Sequence, residues 1–128
     1  MNLRFLPAAA FALLLPACGE GAEPLDPAAV EAGRVAFQSC TACHSAGLGE
    51  GHKVGPNLYG VAGAPAARQA GYDYSEALRA SGLVWTDEAL AAYLEDPLGT
   101  VPGGKMVYAG VPDAASRDAV ITYLKSKR

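Results

Sequence analysis

The chain has little of what marks nucleic-acid-binding, zinc-binding or multidomain proteins. Its 128 residues carry 10 Lys and Arg against 13 Asp and Glu, a formal net charge of −3. A basic surface for nucleic acid is therefore not expected. Three cysteines and two histidines are present, too few for a zinc module built on two cysteine pairs. There is no Gly-rich phosphate loop and no internal repeat, and the length suits one domain.

Residues 40–44 (Cys-Thr-Ala-Cys-His) are the most informative segment that is present. Two thiols three residues apart on a helical turn lie on one face, so the two vinyl groups of one porphyrin can alkylate both. The histidine that follows is held under the iron, where a neutral imidazole nitrogen can serve as an axial ligand. The motif predicts one covalent haem c, attached through Cys40 and Cys43, with His44 as an iron ligand.

Three other interpretations of the cysteine pair remain open at this point. A zinc site would need both histidines, His44 and His52, to complete a tetrahedral shell. A thioredoxin-like redox pair would need a βαβ context, which the sequence does not display, and the third possibility is a plain disulfide. His52 lies in a polar loop between a glycine and a lysine, and we interpret it as a solvated surface histidine.

The N-terminal segment has the pattern of an export signal. A short positive region precedes an apolar run over residues 5–15, which is too short to span a bilayer. Residues 15–18 (Leu-Pro-Ala-Cys) resemble the lipobox of bacterial lipoproteins, which predicts a signal peptide over 1–17 and an acylated Cys18. The competing interpretation is ordinary cleavage at residues 17–19. Residues 18–27 are rich in glycine, proline and acidic residues, and they are expected to form a linker to the domain at 28–128.

The remaining pattern predicts an all-α domain. Asp26 before Pro27 is typical of a helix N-cap, Thr86 is expected to cap a second long helix, and Pro97 is expected to end it. No segment alternates as a strand would. Helices are expected from residue 27 towards the cysteines and over 74–80, 87–96 and 116–125, with loops over 45–71 and 98–112.

Seven blocks, in order, resemble the class I cytochromes c of the mitochondrial and bacterial c2 type. They are Gly33-x-x-x-Phe37-x-x-Cys40-x-x-Cys43-His44, Gly55-Pro56-Asn57-Leu58, Gly71-Tyr72-x-Tyr74, Gly82-Leu83-Val84-Trp85, Tyr93-Leu94-x-x-Pro97, Val101-Pro102-Gly103-Gly104-Lys105-Met106 with Ala109-Gly110, and Tyr123-Leu124. The resemblance implies helices and long loops wrapped around one haem. It also implies that Gly33 lets the first helix approach the last one near Tyr123.

The resemblance also implies roles for residues around the haem. Met106 corresponds to the second axial ligand, a soft thioether that raises the reduction potential. The Pro56 carbonyl corresponds to the acceptor that fixes the tautomer of the ligand histidine. Tyr74 and Trp85 correspond to donors to a haem propionate, and Tyr93 to a tyrosine near the methionine sulfur.

The function that the resemblance implies is one-electron transfer rather than enzymatic catalysis. The expected partners are membrane redox complexes, with a bc1-type donor and a terminal oxidase or photosynthetic reaction centre as acceptor. The protein is expected to be a periplasmic monomer, lipid-anchored to a membrane. The alternatives are an accessory subunit of an oxidoreductase complex and a gas-binding or peroxidase-like haem protein.

The chain departs from the family pattern in two respects. Ala64, Leu78 and Gly104 replace an arginine, an asparagine and a threonine that contact or border the haem in relatives. The ring of lysines around the haem edge is also thin, so docking is expected to depend less on charge. Positions where mitochondrial relatives tend to carry lysine hold Ser39, Leu98, Gly99, Pro112 and Asp113.

Overall fold

The computed structural model describes residues 23–128. The signal peptide predicted over 1–17, the acylation predicted at Cys18 and most of the linker lie outside the described residues. The first helix begins at Pro27, the last residue assigned to that linker. In the part that is described, no helix is both long enough and apolar enough to cross a bilayer.

The described chain is all-α, as the sequence predicted. Over residues 23–128 it contains no strand, and Pro65 and Val84 form an isolated antiparallel bridge. A short 3₁₀ segment, Phe37–Cys40, leads from the first helix to the cysteine motif. The helices are α1 Pro27–Ala36, α2 Glu76–Ala80, α3 Asp87–Glu95, α4 Pro97–Thr100 and α5 Ala114–Lys125.

Three of the predicted helix boundaries were wrong. The helix expected over 74–80 begins only at Glu76, where the Ser75 side chain caps it by accepting from the Leu78 N–H at 3.1 Å. The other two differ for one shared reason. Asp96 caps a new helix by accepting from the Gly99 N–H at 2.9 Å, with Pro97 in its first turn. The loop expected over 98–112 therefore begins only after α4. Asp113 likewise accepts from the Ser116 N–H at 2.8 Å, so α5 starts at Ala114 rather than near Ser116. In both cases an aspartate supplies the side-chain oxygen that the first backbone N–H groups need.

Helices α1 and α5 cross closely at a glycine, as expected. Gly33 is buried, and a Cβ added there would lie 2.8 Å from the Cβ of Tyr123. Next to this crossing the rings of Phe37 and Tyr123 are 5.0 Å apart. The crossing packs the start of the described chain against its end and closes one side of the core.

The core lies between α3, α5 and the segment that leads to the cysteine motif. Its buried side chains form a single cluster that continues into the loops between the helices. The cluster comprises Phe37, Ala46, Trp85, Leu90, Leu94, Val120, Ile121 and Leu124. Several of these side chains also face a central cavity.

Candidate haem site

A cavity of about 420 Å³ lies at the centre of the fold, within the range of cofactor pockets, roughly 300–1,000 Å³. Apolar side chains of α3 and α5 form much of its wall, among them Leu90, Leu94, Val120 and Leu124. The structure brings the predicted site residues of the domain together around it. Those that line the cavity are Cys40, Cys43, His44, Pro56, Tyr74, Trp85, Tyr93 and Met106.

The cysteine motif forms a tight turn after the 3₁₀ segment. The N–H groups of Cys43 and His44 both donate to the Cys40 carbonyl, at 3.1 and 2.9 Å. Both thiols are free; Cys40 is half-buried and Cys43 is exposed. Burial raises the pKa of the Cys40 thiol, whereas a disulfide-exchange cysteine has a lowered pKa. The thioredoxin-like interpretation also needs a βαβ unit, whereas residues 23–128 contain no strand.

His44 is fixed by its neighbours in the chain. Its Nδ1 lies 2.8 Å from the Pro56 carbonyl oxygen, so Nδ1–H is the donor and the Nε2 lone pair is left for a metal. Burial lowers the pKa of the imidazole, which keeps the ring in the neutral form that binds iron. A Cβ at Gly55 would lie 2.7 Å from Nδ1 and 2.8 Å from Nε2. Glycine is therefore the residue that leaves room for the ring.

His52 is exposed, as the sequence suggested, but both nitrogens of its ring are hydrogen-bonded. Its Nδ1 accepts from the Asn57 N–H at 3.0 Å, and its Nε2 lies 2.8 Å from the Ala70 carbonyl. Both ring nitrogens thus bond backbone groups, which joins the loop after His44 to the segment before Tyr72. Among residues 23–128 no three His, Cys, Asp or Glu side chains are grouped as metal ligands, which disfavours the zinc interpretation.

Met106 lies on a loop between α4 and α5 and borders the same cavity as His44. Its side chain is partly buried, while the next residue, Val107, is 86% exposed. The preceding residue, Lys105, donates from Nζ to the carbonyl oxygen of Asp73 at 2.8 Å and to its Oδ2 at 2.6 Å. The loop that carries Met106 is therefore linked, through Lys105, to the segment around Asp73 on the same cavity.

Polar donors without protein acceptors face this cavity. The Tyr74 hydroxyl accepts from the Gln69 N–H at 3.3 Å, so its own proton is available to another acceptor. Trp85 and Tyr93 pack with ring centroids 4.9 Å apart, and neither the indole N–H nor the Tyr93 hydroxyl has an acceptor among residues 23–128. Burial raises the pKa of both tyrosines, which keeps them protonated as donors.

The charges that line the cavity suit an acidic cofactor. Arg68 and Lys105 border it, whereas no described aspartate or glutamate does. A haem carries two propionate carboxylates around an apolar macrocycle, so it needs donors at one edge and apolar walls elsewhere. The cavity provides both, together with an imidazole, a thioether and two thiols. The residues present therefore fit a haem.

Comparisons with known proteins agree with this fit. The cytochrome c family model matches residues 30–127. The chain is 48% identical over 91 residues to cytochrome c2 iso-2 of Magnetospirillum fulvum, covering 71% of this chain and 94% of that protein. It is 45% identical over 105 residues to cytochrome c2 of Rhodopila globiformis, covering 82% and 96%.

A solved structure is similar in both fold and sequence. Cytochrome cH from Methylobacterium extorquens superposes with a TM-score of 0.72 at 45% identity, covering 77% of this chain and 98% of that chain. The chain therefore belongs to the cytochrome c family: it is an electron carrier and not an enzyme, and its cofactor is one covalently bound haem c.

Proposed function

We propose that the protein shuttles single electrons with its haem attached through Cys40 and Cys43 and its iron held between His44 and Met106. The observation that carries this proposal is that the Nδ1 of His44 is 2.8 Å from the Pro56 carbonyl, in a cavity that Met106 also lines. One ring nitrogen is used for positioning, so the other is left to bind the metal.

The bound haem supplies an iron that is stable in two oxidation states one electron apart. His44 and Met106 would hold that iron, and an iron with two protein ligands would have no position left for a substrate. The Pro56 carbonyl fixes the tautomer and orientation of the His44 ring. The apolar walls from α3 and α5 keep water away, and the thioether of Met106 favours the reduced state.

The aromatic donors complete the site. Tyr74 and Trp85 would donate to a haem propionate, and Tyr93, which lines the same cavity as Met106, would supply a hydroxyl donor to the methionine sulfur. Tyr74 and Trp85 are 9% and 6% exposed and line the cavity, which supports this assignment, because a donor that lines a cofactor cavity can reach the cofactor. Ala64 stands where relatives carry an arginine, so these donors carry more of the propionate contact here.

The partners are membrane redox complexes on the outer side of the cytoplasmic membrane. A bc1-type complex donates the electron, and a terminal oxidase or a photosynthetic reaction centre accepts it. The similarity to proteins named cytochrome c2 supports this proposal. The protein acts as a periplasmic monomer, tethered by an acylated Cys18 through the linker at 18–27.

Replacement of Met106 by alanine tests the ligand assignment. Met106→Ala is expected to abolish the far-red band that reports an Fe–S(Met) bond and to lower the reduction potential markedly, because the thioether stabilises ferrous iron. Val107→Ala is the matched control, since Val107 is adjacent and 86% exposed. If Met106→Ala retains the band and the potential, another residue is the ligand.

The covalent attachment has its own test. In the wild type, haem should stay with the polypeptide through acid–acetone extraction and denaturing electrophoresis. Cys40→Ala and Cys43→Ala should each leave little mature holo-protein. Haem lost from the wild type under those conditions would contradict the thioether assignment.

The lipid tether is tested by fractionation of the native protein beside Cys18→Ser. Several acyl chains give stable membrane attachment, so the wild type should sediment with membranes and the variant should not. A wild type that is soluble without detergent, with Glu20 at its N-terminus, would indicate ordinary signal-peptide cleavage instead.

A further inference from the structure

One carboxylate joins the Met106 loop to the segment that carries Tyr74. The Nζ of Lys105 lies 2.6 Å from Oδ2 of Asp73 and also donates to the Asp73 carbonyl oxygen at 2.8 Å. On the other side of the same carboxylate, the guanidinium of Arg79 in α2 lies 3.1 Å from Oδ1. Asp73 thus bridges two cations from different parts of the chain.

This bridge is the polar link between the middle of the Met106 loop, residues 102–109, and the rest of the described chain. In that loop the N–H of Gly104 bonds the Val101 carbonyl and that of Val107 bonds the Lys105 carbonyl, both at 3.0 Å. These bonds are internal to the loop. Among the described hydrogen bonds of residues 102–109, only those of Lys105 reach a distant segment.

The loop also has backbone freedom that the bridge can limit. Gly103 adopts a φ of +85°, which glycine tolerates and most residues do not, and Gly104 follows it. Two consecutive glycines leave more conformational entropy in the loop than side-chain-bearing residues would. A contact at Lys105, directly before Met106, restricts the loop next to the thioether.

We propose that Asp73 is a positioning residue, whose carboxylate holds Lys105 and through it keeps Met106 on the iron. The proposal rests on the proposed function, since it requires Met106 to be the ligand. Asp73 lies directly between Tyr72 and Tyr74, which both line the cavity. The contact therefore ties the loop of the sulfur ligand to a wall of the haem pocket.

The bridge acts on the local position of the loop rather than on global stability. The side chain of Asp73 is 83% exposed, and an exposed ion pair adds little to the stability of a folded protein. The hydrogen bond from Lys105, followed by that from Arg79, lowers the pKa of the Asp73 carboxyl, so it is ionised at neutral pH. Arg79 pairs with the other oxygen of the same carboxylate. This second contact restricts the Asp73 side chain, so less side-chain entropy is lost when Lys105 pairs with it.

Asp73→Asn tests the proposal, because it removes the charge and keeps the backbone carbonyl. The measurement is the affinity of ferric protein for imidazole, which competes with Met106 for the iron, followed by loss of the far-red Fe–S(Met) band. Asp73→Asn should bind imidazole roughly two- to fivefold more tightly, with an unchanged unfolding midpoint. Asp73→Glu should bind it as the wild type does.

Asp87→Asn is the matched control. Asp87 pairs with Lys125 at the same 2.6 Å, is 55% exposed and does not line the haem cavity. The Asp87→Asn substitution removes a comparable surface ion pair and leaves the contacts of the Met106 loop unchanged. Imidazole affinity and the far-red band should therefore be those of the wild type.

The path through Lys105 is tested by a double-variant cycle. Lys105→Gln should raise imidazole affinity more than Asp73→Asn does, since it loses both bonds. The double variant should match Lys105→Gln alone; effects that multiply would overturn the proposed path. Asp73→Asn behaving like Asp87→Asn would overturn the proposal by itself. A wild type without the far-red band would instead overturn Met106 as the ligand, and this proposal with it.

Discussion

Residues 45–59, which follow His44, are held largely by bonds within their own loop, whereas residues 101–112, around Met106, are held by other parts of the chain. In the first loop, the Ser45 hydroxyl donates to the Gly51 carbonyl at 2.6 Å. The buried Asn57 amide donates to the carbonyls of Gly47 and Glu50 at 2.9 and 2.8 Å. These contacts join neighbours in sequence, so the loop behind the His44 ring is held mainly by its own residues, and the bond of His52 to Ala70 adds a tie to the next segment.

The second loop depends on anchors at its edges. At its C-terminal end Val111 donates to the Leu94 carbonyl at 2.8 Å, and Arg117 of α5 donates to the carbonyls of Val111 and Pro112 at 2.7 and 2.9 Å. In its middle the distant link is that of Lys105 to Asp73. A loop fixed at a few points opens at lower free energy than one bonded along its length. We therefore expect the iron to be held rigidly on the His44 side and more loosely on the Met106 side.

Gly55→Ala should have the largest effect, on the rigid side. The new Cβ would lie within 2.8 Å of both His44 ring nitrogens, and overpacking of this kind costs about 1–3 kcal/mol while displacing the ring. Mature holo-protein, measured by haem staining, should fall steeply. Gly51→Ala is the control, because a Cβ there meets nothing within 4 Å. Equal holo-protein yields from the two variants would contradict the crowding at His44.

Asn57→Ala should come next. It removes the two bonds that the buried Asn57 amide donates to the Gly47 and Glu50 carbonyls, and it leaves the Tyr59 N–H, 2.9 Å from the Asn57 oxygen, without its partner. The free energy of unfolding should fall by roughly 3 kcal/mol, measured by denaturant titration, while the far-red band stays. Gln38→Ala, which loses an exposed 3.5 Å bond, should cost little. If Asn57→Ala lost the far-red band while its free energy of unfolding stayed unchanged, the loop at 45–59 would not be the rigid one, and the comparison of the two loops would be contradicted.

Arg117→Gln probes the looser side and should cost less, about 1.5 kcal/mol. Arg117 bonds the carbonyls of Val111 and Pro112 at the C-terminal end of the Met106 loop. Its loss should therefore weaken the far-red band, while the covalent haem content remains normal. The control is Lys125→Gln on the same helix, whose partner is Asp87. A full-strength band in Arg117→Gln would show that the anchor does not reach Met106.

Local signals in the sequence predicted much of this fold, and the misses have a common cause. The cap formed by Asp26 and Pro27 was recognised, whereas the same pair at Asp96 and Pro97 was interpreted only as the end of α3. The choice depends on whether the chain beyond the proline packs on the core, and Pro97 is fully buried. Packing of that kind is a tertiary property.

Long-range polar contacts left even less trace in the sequence. Neither the contact of His52 with Ala70 nor that of Lys105 with Asp73 has a local pattern, because the partners are 18 and 32 residues apart. The haem motif itself was predictable, since its chemistry requires two thiols and an imidazole within five residues. The contacts between distant segments, such as Lys105 with Asp73, could be identified only from the folded structure.

The smallest expected effect concerns docking. Val54 and Val107 border the cavity and are 78% and 86% exposed, so this rim is apolar. The nearby Lys53 uses its Nζ to donate to the Thr41 carbonyl at 2.7 Å. Electron-transfer rate constants with an isolated redox complex should therefore change by less than about tenfold between low and high salt. Val107→Lys should increase that dependence; a steep dependence in the wild type would contradict the apolar rim.

Amide hydrogen exchange of the intact ferric protein tests the difference between the two loops most directly. In residues 45–59, the N–H groups of Gly55 and Leu58 donate to the carbonyls of Cys43 and Ser45 at 2.7 and 2.9 Å. They should exchange more slowly than those of Gly104 and Val107 in the loop that depends on anchors, because a smaller opening exposes the latter. Equal protection in the two loops, or slower exchange at Gly104 and Val107, would contradict a rigid His44 side and a looser Met106 side.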